Sequence, residues 1–276
     1  MIHANPVEMR RGRDWLVQGW ALFRAAPVLW LGLSFTYLVI AMLLEQIPFI
    51  GWLILVLLSP MFLFGTLSVA EKLTDHTLPA EEQPAAPAWS DLRAVGRYVR
   101  DVLLRSLRRL FSGFTREDEL LPMMVISTLL LGGVVVIRIL AQLFKVGGHA
   151  LPAMLAGTVG PTVWVTALIG LVVILVLEVL LIMAFLYTVP LLLFRREYPL
   201  PAIESSFSAA LGNFGAFALF AGAFLVLGEL SRLLFFFFAF PLDYLVFLII
   251  GLVALPILIG ALHASYRDLF GKPRVV

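Results

Sequence analysis

The sequence predicts an all-α integral membrane protein with six transmembrane helices, cytoplasmic amphipathic helices and a possible parallel repeat of helix-plus-hairpin units. Three observations support this fold class. Hydrophobic residues make up 61% of the 276-residue chain and charged residues 14%, whereas soluble domains are close to half apolar and about a quarter charged. The apolar residues form runs long enough to cross a bilayer. The basic residues gather between alternate runs, as they do in the cytoplasmic loops of membrane proteins.

Six apolar stretches reach the length of about 20 residues that a helix needs to cross a hydrocarbon core. Pro48 and Gly51 separate the first two stretches by so short a turn that the two helices must run antiparallel. The predicted spans cover residues 28–47, 49–70, 120–144, 163–194, 212–238 and 242–264.

The spans divide the chain into three hairpins and the segments that join them. We predict hairpins at residues 28–70, 120–194 and 212–264. The remaining segments are a cytoplasmic approach at residues 1–27, a Pro-rich linker plus basic helix at 71–119, a second approach at 195–211 and a cytoplasmic tail at 265–276. Residues 77–88 contain several prolines and read as a linker.

Loop charges predict the orientation. Of the 20 Lys and Arg residues, all but Arg138, Lys145 and Arg232 lie in segments that share one side of the membrane, and such residues stay in the cytoplasm. We therefore predict that both termini are cytoplasmic. The polar start, with Arg10 and Arg11 well ahead of the first span, is unlike a cleaved signal peptide, so we expect the N-terminus to be retained.

Composition and motifs argue against several kinds of site. The chain has no cysteine, which excludes disulfides, thiolate metal sites and thiol nucleophiles. A net charge of +2 is too small to favour nucleic acid as a partner. Neither a nucleophile elbow nor a phosphate-binding loop is present, so we expect no enzymatic activity and no cofactor. Four histidines are too scattered to predict a metal site: His3, His76, His149 and His263.

Residues 90–111 are predicted to form a basic amphipathic helix that lies at the membrane surface, with Ser90 as its cap. Apolar residues recur there at helical spacing: Leu92, Val95, Val99, Val102, Leu103 and Leu110. The candidates for binding anionic lipid headgroups are Arg93, Arg97, Arg100, Arg105, Arg108 and Arg109. Two alternatives remain open, because the same arginines could simply enforce topology or could dock a membrane protein partner or a second copy.

A weak internal repeat suggests where the hairpins bend. Residues 19–27 before the first span resemble residues 206–214 before the fifth. Each returning span carries a proline and then a glycine near its inner end, and these residues are the predicted hinges: Pro60, Gly65, Pro256 and Gly260.

Several of these residues carry a resemblance to a family. The residues in question are Gly19-Trp20, Phe23, Pro27, Pro48, Gly51, Leu58-Ser59-Pro60, Gly65, Phe111-Ser112-Gly113-Phe114, Pro190, Pro201, Ala202, Ser206 and Asn213. Over most of its length the chain resembles an uncharacterised family of proteobacterial multi-pass inner-membrane proteins. That resemblance implies a location in the bacterial inner membrane and names no activity.

Charged residues within predicted spans are the sharpest candidates for a site. An ionised side chain at the bilayer centre costs about 2.5 to 3.5 kcal/mol and needs a partner, water or a proton. Glu178 lies deepest, Arg138 and Glu229 lie in the outer halves of their spans, and Arg232 stands three residues after Glu229. We expect Arg138 to lie one to two helical turns outside Glu178, within reach of a clamping ion pair, with Arg138–Glu229 as the competing pair. Glu178 could instead carry a proton.

Smaller features suggest ordinary membrane packing. Residues 235–238 are all phenylalanine and are predicted to anchor the outer interface, and Gly132-Gly133 is predicted to allow close helix approach.

Two functions fit this sequence. The first is a non-catalytic membrane scaffold, assembly factor or lipid-interacting component. The second is a small proton-coupled transporter or lipid-handling permease using Glu178 and Arg138.

Overall fold

The computed structural model describes residues 2, 4–78, 91–115, 117–144, 160–223, 226 and 242–271. Within these ranges the chain is helical and has no strand, which confirms the all-α prediction. A short 3-10 helix, Phe111–Thr115, lies between the fourth and fifth α-helices. The α-helices are α1 (Arg11–Ala25), α2 (Pro27–Glu45), α3 (Gly51–Thr74), α4 (Leu92–Leu110), α5 (Glu117–Leu143), α6 (Pro161–Phe185), α7 (Thr188–Arg195), α8 (Pro199–Gly212), α9 (Phe214–Ala223) and α10 (Leu242–Phe270).

Five stretches of the described chain are long and apolar enough to cross a membrane, and a bent pair adds a sixth. The five lie within α2, α3, α5, α6 with α7, and α10, close to the predicted bounds. The sixth would be α8 with α9, which meet at 95°. Of the predicted fifth span at residues 212–238, only residues 212–223 and 226 are described.

The predicted fourth span is confirmed as one long apolar stretch, Thr162–Arg195, with a local interruption of its helix. α6 ends at Phe185 and α7 begins at Thr188. Pro190 has no N–H group to donate to the carbonyl of Leu186. The proline alone does not explain the interruption, because α3 and α10 continue through Pro60 and Pro256. The side chain of Ser206 in α8 satisfies two backbone groups at this interruption. Its Oγ accepts a hydrogen bond from the N–H of Tyr187 at 3.0 Å and donates one to the carbonyl of Met183 at 2.8 Å.

Each predicted approach segment is a helix that stops one residue before the next helix begins. Ala26 separates α1 from α2 with φ −147° and ψ 64°, and Asn213 separates α8 from α9 with φ −121° and ψ 34°. Pro27 takes the first position of α2, where its missing N–H costs nothing. The two junctions are therefore alike locally, and the repeat between the two halves stays a prediction.

The bundle forms around α1 and α10. Gly19 and Gly260 bring the two backbones together, since a Cβ atom added at Gly260 would lie 2.8 Å from the Cα of Gly19. Trp15 of α1 is fully buried beside this crossing, as is Tyr266 of α10. α10 also packs on α2 and α3, whereas α5 packs on α3 and α6.

The basic helix α4 lies across the first half of α2 and the second half of α3. Gly32 of α2 faces Ser106, and Gly65 of α3 faces the carbonyl groups of Arg109 and Leu110. The residue that caps the start of α4 is Asp91 and not the predicted Ser90, which lies outside the described residues. Asp91 Oδ1 accepts hydrogen bonds from the N–H groups of Arg93 and Ala94 at 2.9 and 3.2 Å. Either residue type makes a good cap, and the helix starts at Leu92.

Candidate functional site

A cavity of about 220 Å³ lies between the transmembrane helices and is partly open. Its walls are aliphatic and aromatic side chains, with the hydroxyl groups of Ser34, Tyr37, Ser59 and Thr66 as the polar exceptions. α2, α3 and α10 form one wall, and α5 with the end of α6 forms the other. Leu110 of the basic helix α4 also lines the cavity. The cavity is therefore suited to an apolar occupant.

Of the four predicted hinge residues, one lines this cavity and two lie at helix crossings. Pro60 lines it, and Pro256 is buried beside Leu255 of the lining. Gly65 and Gly260 instead lie at crossings with α4 and α1, where glycine allows close approach. Whether the prolines act as hinges stays a prediction.

A polar cluster with a buried Glu–His pair at its centre joins the ends of α3 and α10. Glu71 is 9% exposed and His263 2%, and Oε2 of Glu71 is hydrogen-bonded to Nε2 of His263. Arg267 lies one turn after His263 and places its Nη1 3.6 Å from Oε1 of Glu71 and 3.0 Å from Oδ1 of Asp75. We call these four residues the α3–α10 cluster.

The sequence analysis did not identify this cluster as a site. In the sequence, His263 is one of four scattered histidines, and the predicted second span stops at residue 70, just before Glu71. A usable signal was present: Asp75, which caps the end of α3, follows Glu71 by four residues, and His263 and Arg267 are four residues apart on α10. Such spacing places each pair on one helix face, so the two faces are complementary. Because Arg267 is a cation, the cluster is an ion network rather than a set of metal ligands.

A second clamp ties α1 to the end of α10. Asp268 accepts hydrogen bonds from Nε of Arg11 at 2.9 Å and from Nε1 of Trp15 at 2.7 Å, and Nη2 of Arg11 also contacts it. The hydrogen bond to Asp268 raises the pKa of Arg11 above its ordinary value, against a smaller opposing effect of burial. Arg195 of α7 reaches the same region and donates to the carbonyl of Phe270.

The predicted headgroup-binding arginines divide into two groups on α4. Arg105 and Arg109 are half-buried on the side that faces the bundle. The exposed ones are Arg93, Arg97, Arg100 and Arg108. Arg100 pairs with Asp101 at 3.1 Å, with both side chains well exposed. The outer side of α4 is therefore a basic surface, which we call the α4 basic face.

Glu178 and Arg138 do not form the predicted clamp. A Cβ atom at Gly133 would meet the side chain of Leu181, whereas nothing lies within 4 Å of the position of a Cβ at Gly132. The contact at Gly133 defines the register of α5 against α6. In that antiparallel register the two charged residues differ in depth by about 3 Å on a helical rise of 1.5 Å, less than predicted. The Arg138 guanidinium instead lies 4.4 Å from the ring centroid of Trp52, and Glu178 is exposed with no ion pair to any described residue. Proximity in depth was insufficient because the side chains project from different faces.

The remaining predicted residues lie outside the described part of the chain. These are Glu229, Arg232, the phenylalanines at 235–238, His3, His149 and nearly all of the linker at 77–88. The competing Arg138–Glu229 pair is untested for the same reason.

Comparison with known proteins finds no matching family model, no matching curated protein and no matching solved structure.

Proposed function

We propose that this chain is a non-catalytic, multi-pass protein of the bacterial inner membrane that binds anionic lipids of the cytoplasmic leaflet and serves there as a scaffold or assembly component. The α4 basic face carries this proposal. Its arginines point away from the bundle, while Ser106 and Leu110 on the opposite side are buried against α2 and α3. A helix held in this way presents its cations to the surroundings in a fixed orientation.

The depth of α4 supports a lipid ligand. Gly32 lies about 8 Å along α2 from its first residue, and Gly65 lies about 14 Å before the last residue of α3, at 1.5 Å per residue. α4 thus crosses two apolar helices inside these ends, and we propose that this crossing lies at the level of the boundary between headgroups and acyl chains. Arginine at that level reaches phosphate groups with its long side chain.

Lipid selectivity of a double variant tests this function. The wild-type chain, Arg97→Gln/Arg108→Gln and Arg10→Gln/Arg13→Gln are each extracted in polymer nanodiscs from membranes containing phosphatidylglycerol and phosphatidylcholine. Since each basic residue near the surface contributes about 1 kcal/mol, the α4 variant should lose roughly fivefold enrichment in phosphatidylglycerol per arginine, and the difference should shrink as salt rises.

The Arg10/Arg13 variant is the matched control, because it removes the same charge from a segment away from α4. Arg10 already pairs with Glu8 at 2.5 Å, so its loss should alter enrichment little. Equal enrichment in the wild-type chain and the α4 variant would refute the proposed lipid preference.

The second candidate function is a small proton-coupled transporter or lipid-handling permease, and the exposed position of Glu178 favours it. An ionised carboxylate in hydrocarbon costs about 2.5 to 3.5 kcal/mol, a cost that a proton or a wet path would remove. Proteoliposomes containing a pH-sensitive dye test this role. Glu178→Gln should fold normally and abolish proton flux, whereas equal flux in the variant would dismiss Glu178 as the proton carrier.

A further inference from the structure

We infer that the α3–α10 cluster is a proton-binding site, in which His263 takes up one proton as the pH falls and the imidazolium so formed strengthens the contact between α3 and α10. This inference is independent of the proposed lipid binding. Three observations carry it: the burial of the Glu71–His263 pair, the unequal sharing of Arg267 between two carboxylates, and the net charge of the four residues.

The buried carboxylate of Glu71 depends on His263 for its hydrogen bonding. Both side chains are buried, and Oε2 of Glu71 is hydrogen-bonded to Nε2 of His263. Nη1 of Arg267 donates to Oδ1 of Asp75 at 3.0 Å but lies 3.6 Å from Oε1 of Glu71. Oε1 is buried and accepts no hydrogen bond from any described residue. A buried carboxylate with a single donor is poorly compensated, so a cation at His263 is the partner that it lacks.

The charge of the cluster has room for one more proton. The carboxylates of Glu71 and Asp75 contribute −2 and the guanidinium of Arg267 contributes +1, so the cluster carries −1 with a neutral His263 and no net charge with a protonated one. In the neutral ring the hydrogen bond to Oε2 keeps the single proton on Nε2. The added proton therefore comes from water and binds Nδ1, and no other bond changes. Histidine is the side chain that ordinarily changes its charge between about pH 5 and about pH 8.

The surroundings of His263 supply no second ionic partner within the described chain. From α7, the ring of Phe194 faces it with 6.0 Å between the ring centroids. The other ionisable side chains on the elements around this end of α10 are Arg11, Arg13, Asp14 and Arg24 of α1, Tyr37 and Glu45 of α2, Lys72 of α3, Tyr187 and Arg195 at α7, and Tyr266 and Asp268 of α10. Each of these is exposed or contacts residues other than His263. The charge of His263 is therefore read mainly by Glu71.

Thermal unfolding of the detergent-purified full chain tests the inference at about pH 6 and about pH 8.5. His263→Gln keeps an N–H group for Oε2 of Glu71 but cannot take up a proton. If protonation strengthens the contact between α3 and α10, wild-type stability gains on the acid side and the variant does not. The midpoint of the variant should therefore fall below that of the wild type by roughly 3 °C more at the lower pH than at the higher one.

His76→Gln is the matched control, because His76 is exposed and follows Asp75 directly. Its midpoint should differ from that of the wild type by the same amount at both pH values. Comparing each variant with the wild type at one pH cancels the titration of unrelated groups. An equal difference at both pH values for His263→Gln would overturn the inference.

Nuclear magnetic resonance of the wild-type ring covers the case in which His263→Gln fails to fold. The full chain is labelled with ¹⁵N in its histidine rings, and single substitutions of the other three histidines remove their signals, so that of His263 is assigned without altering the cluster. Between about pH 8.5 and about pH 6 its ring should pass from one protonated nitrogen to two. A ring that keeps one protonation state throughout this range would overturn the inference.

Discussion

Gly19 and Gly260 let the backbones of α1 and α10 touch. A Cβ atom added at Gly19 would lie 2.8 Å from the backbone nitrogen of Ala261 and would also clash with the carbonyl oxygen of Ile257. Neither backbone atom can turn aside as a flexible side chain does, so Gly19→Ala should destabilise the protein by about 1 to 3 kcal/mol. The measurement is the midpoint of thermal unfolding in detergent.

Gly96→Ala is the control for that substitution. Nothing lies within 4 Å of the position that its Cβ would take on α4, so alanine should leave the midpoint unchanged or raise it through helix propensity of about 1 kcal/mol. A Gly19→Ala protein as stable as the wild type would mean that α1 and α10 do not cross this closely.

The Glu71–His263 pair should be strongly coupled because both side chains are buried. Removing one partner of a buried pair typically costs about 3 to 5 kcal/mol, and Arg267 at 3.6 Å from Glu71 compensates part of the loss. We therefore expect Glu71→Ala and His263→Ala each to destabilise the fold by about 3 kcal/mol and the double variant to cost less than their sum, with an interaction energy of about 1 to 3 kcal/mol.

The exposed pair Glu8–Arg10 supplies the matched cycle. Its side chains are 70% and 77% exposed, and exposed pairs contribute little. A buried-pair cycle as additive as this surface cycle would show that Glu71 and His263 do not interact.

At the scale of single residues, the sequence showed which charged side chains lie within spans but not which side chains they contact. Arg138 and Glu178 were identified as charges within predicted spans, yet their separation along two helices could not reveal that Arg138 turns towards Trp52. Partner choice depends on helix rotation, which a depth estimate ignores. The four-residue spacing of Glu71–Asp75 and His263–Arg267 does encode rotation, which is why it would have been the better guide.

Helix α1 is fixed to α10 by Arg11, and this clamp should be insensitive to pH in the ordinary range. The pKa of Arg11 is raised in the folded chain by its hydrogen bond to Asp268. A raised pKa stabilises the fold fully below the unfolded value and loses that stabilisation only as pH rises through the folded value. Both the folded and the unfolded pKa lie far above pH 9, because a guanidinium stays protonated throughout the ordinary range.

Arg11→Gln should therefore lower stability by about 1 kcal/mol, the modest size reflecting a side chain that is 35% exposed. The loss should be the same at about pH 6 and about pH 9. Thermal unfolding at both values, with Arg11→Lys as the charge-conserving control, measures it. A loss that differs between the two pH values would place the stabilisation on a group other than this guanidinium.

At the element scale the existence of the spans was predictable, and the local interruption between α6 and α7 was not. Long apolar runs dictate α2, α3, α5 and α10, because only a helix satisfies its own backbone in hydrocarbon. The break between α6 and α7 depends on Ser206, a residue 19 positions beyond Tyr187 in the chain. No local pattern around Pro190 shows that such a partner exists.

The whole molecule combines two groups of helices with different roles. Around α1, the helices α2, α3 and α10 are joined by glycine crossings and by the α3–α10 cluster. The pair α5 and α6 is less buried within the protein than α3, because a smaller share of the residues in their apolar segments is covered by other helices. This less buried pair also lines the cavity, through α5 and the end of α6.

The orientation of the whole bundle can be tested because the chain has no cysteine. α4 packs beside the start of α2 and the end of α3, so Arg97 lies on the side of the membrane opposite to Gln46, which follows the end of α2. The positive-inside rule places the arginine-rich side in the cytoplasm. Gln46→Cys should therefore react with a membrane-impermeant maleimide in spheroplasts, and Arg97→Cys should react only after permeabilisation.

A permeant maleimide should label both variants, which shows that each cysteine is reactive. Labelling of Arg97→Cys from outside would invert the bundle and place the α4 basic face on the opposite leaflet, whereas silence at both positions until permeabilisation would contradict the antiparallel α2–α3 hairpin itself.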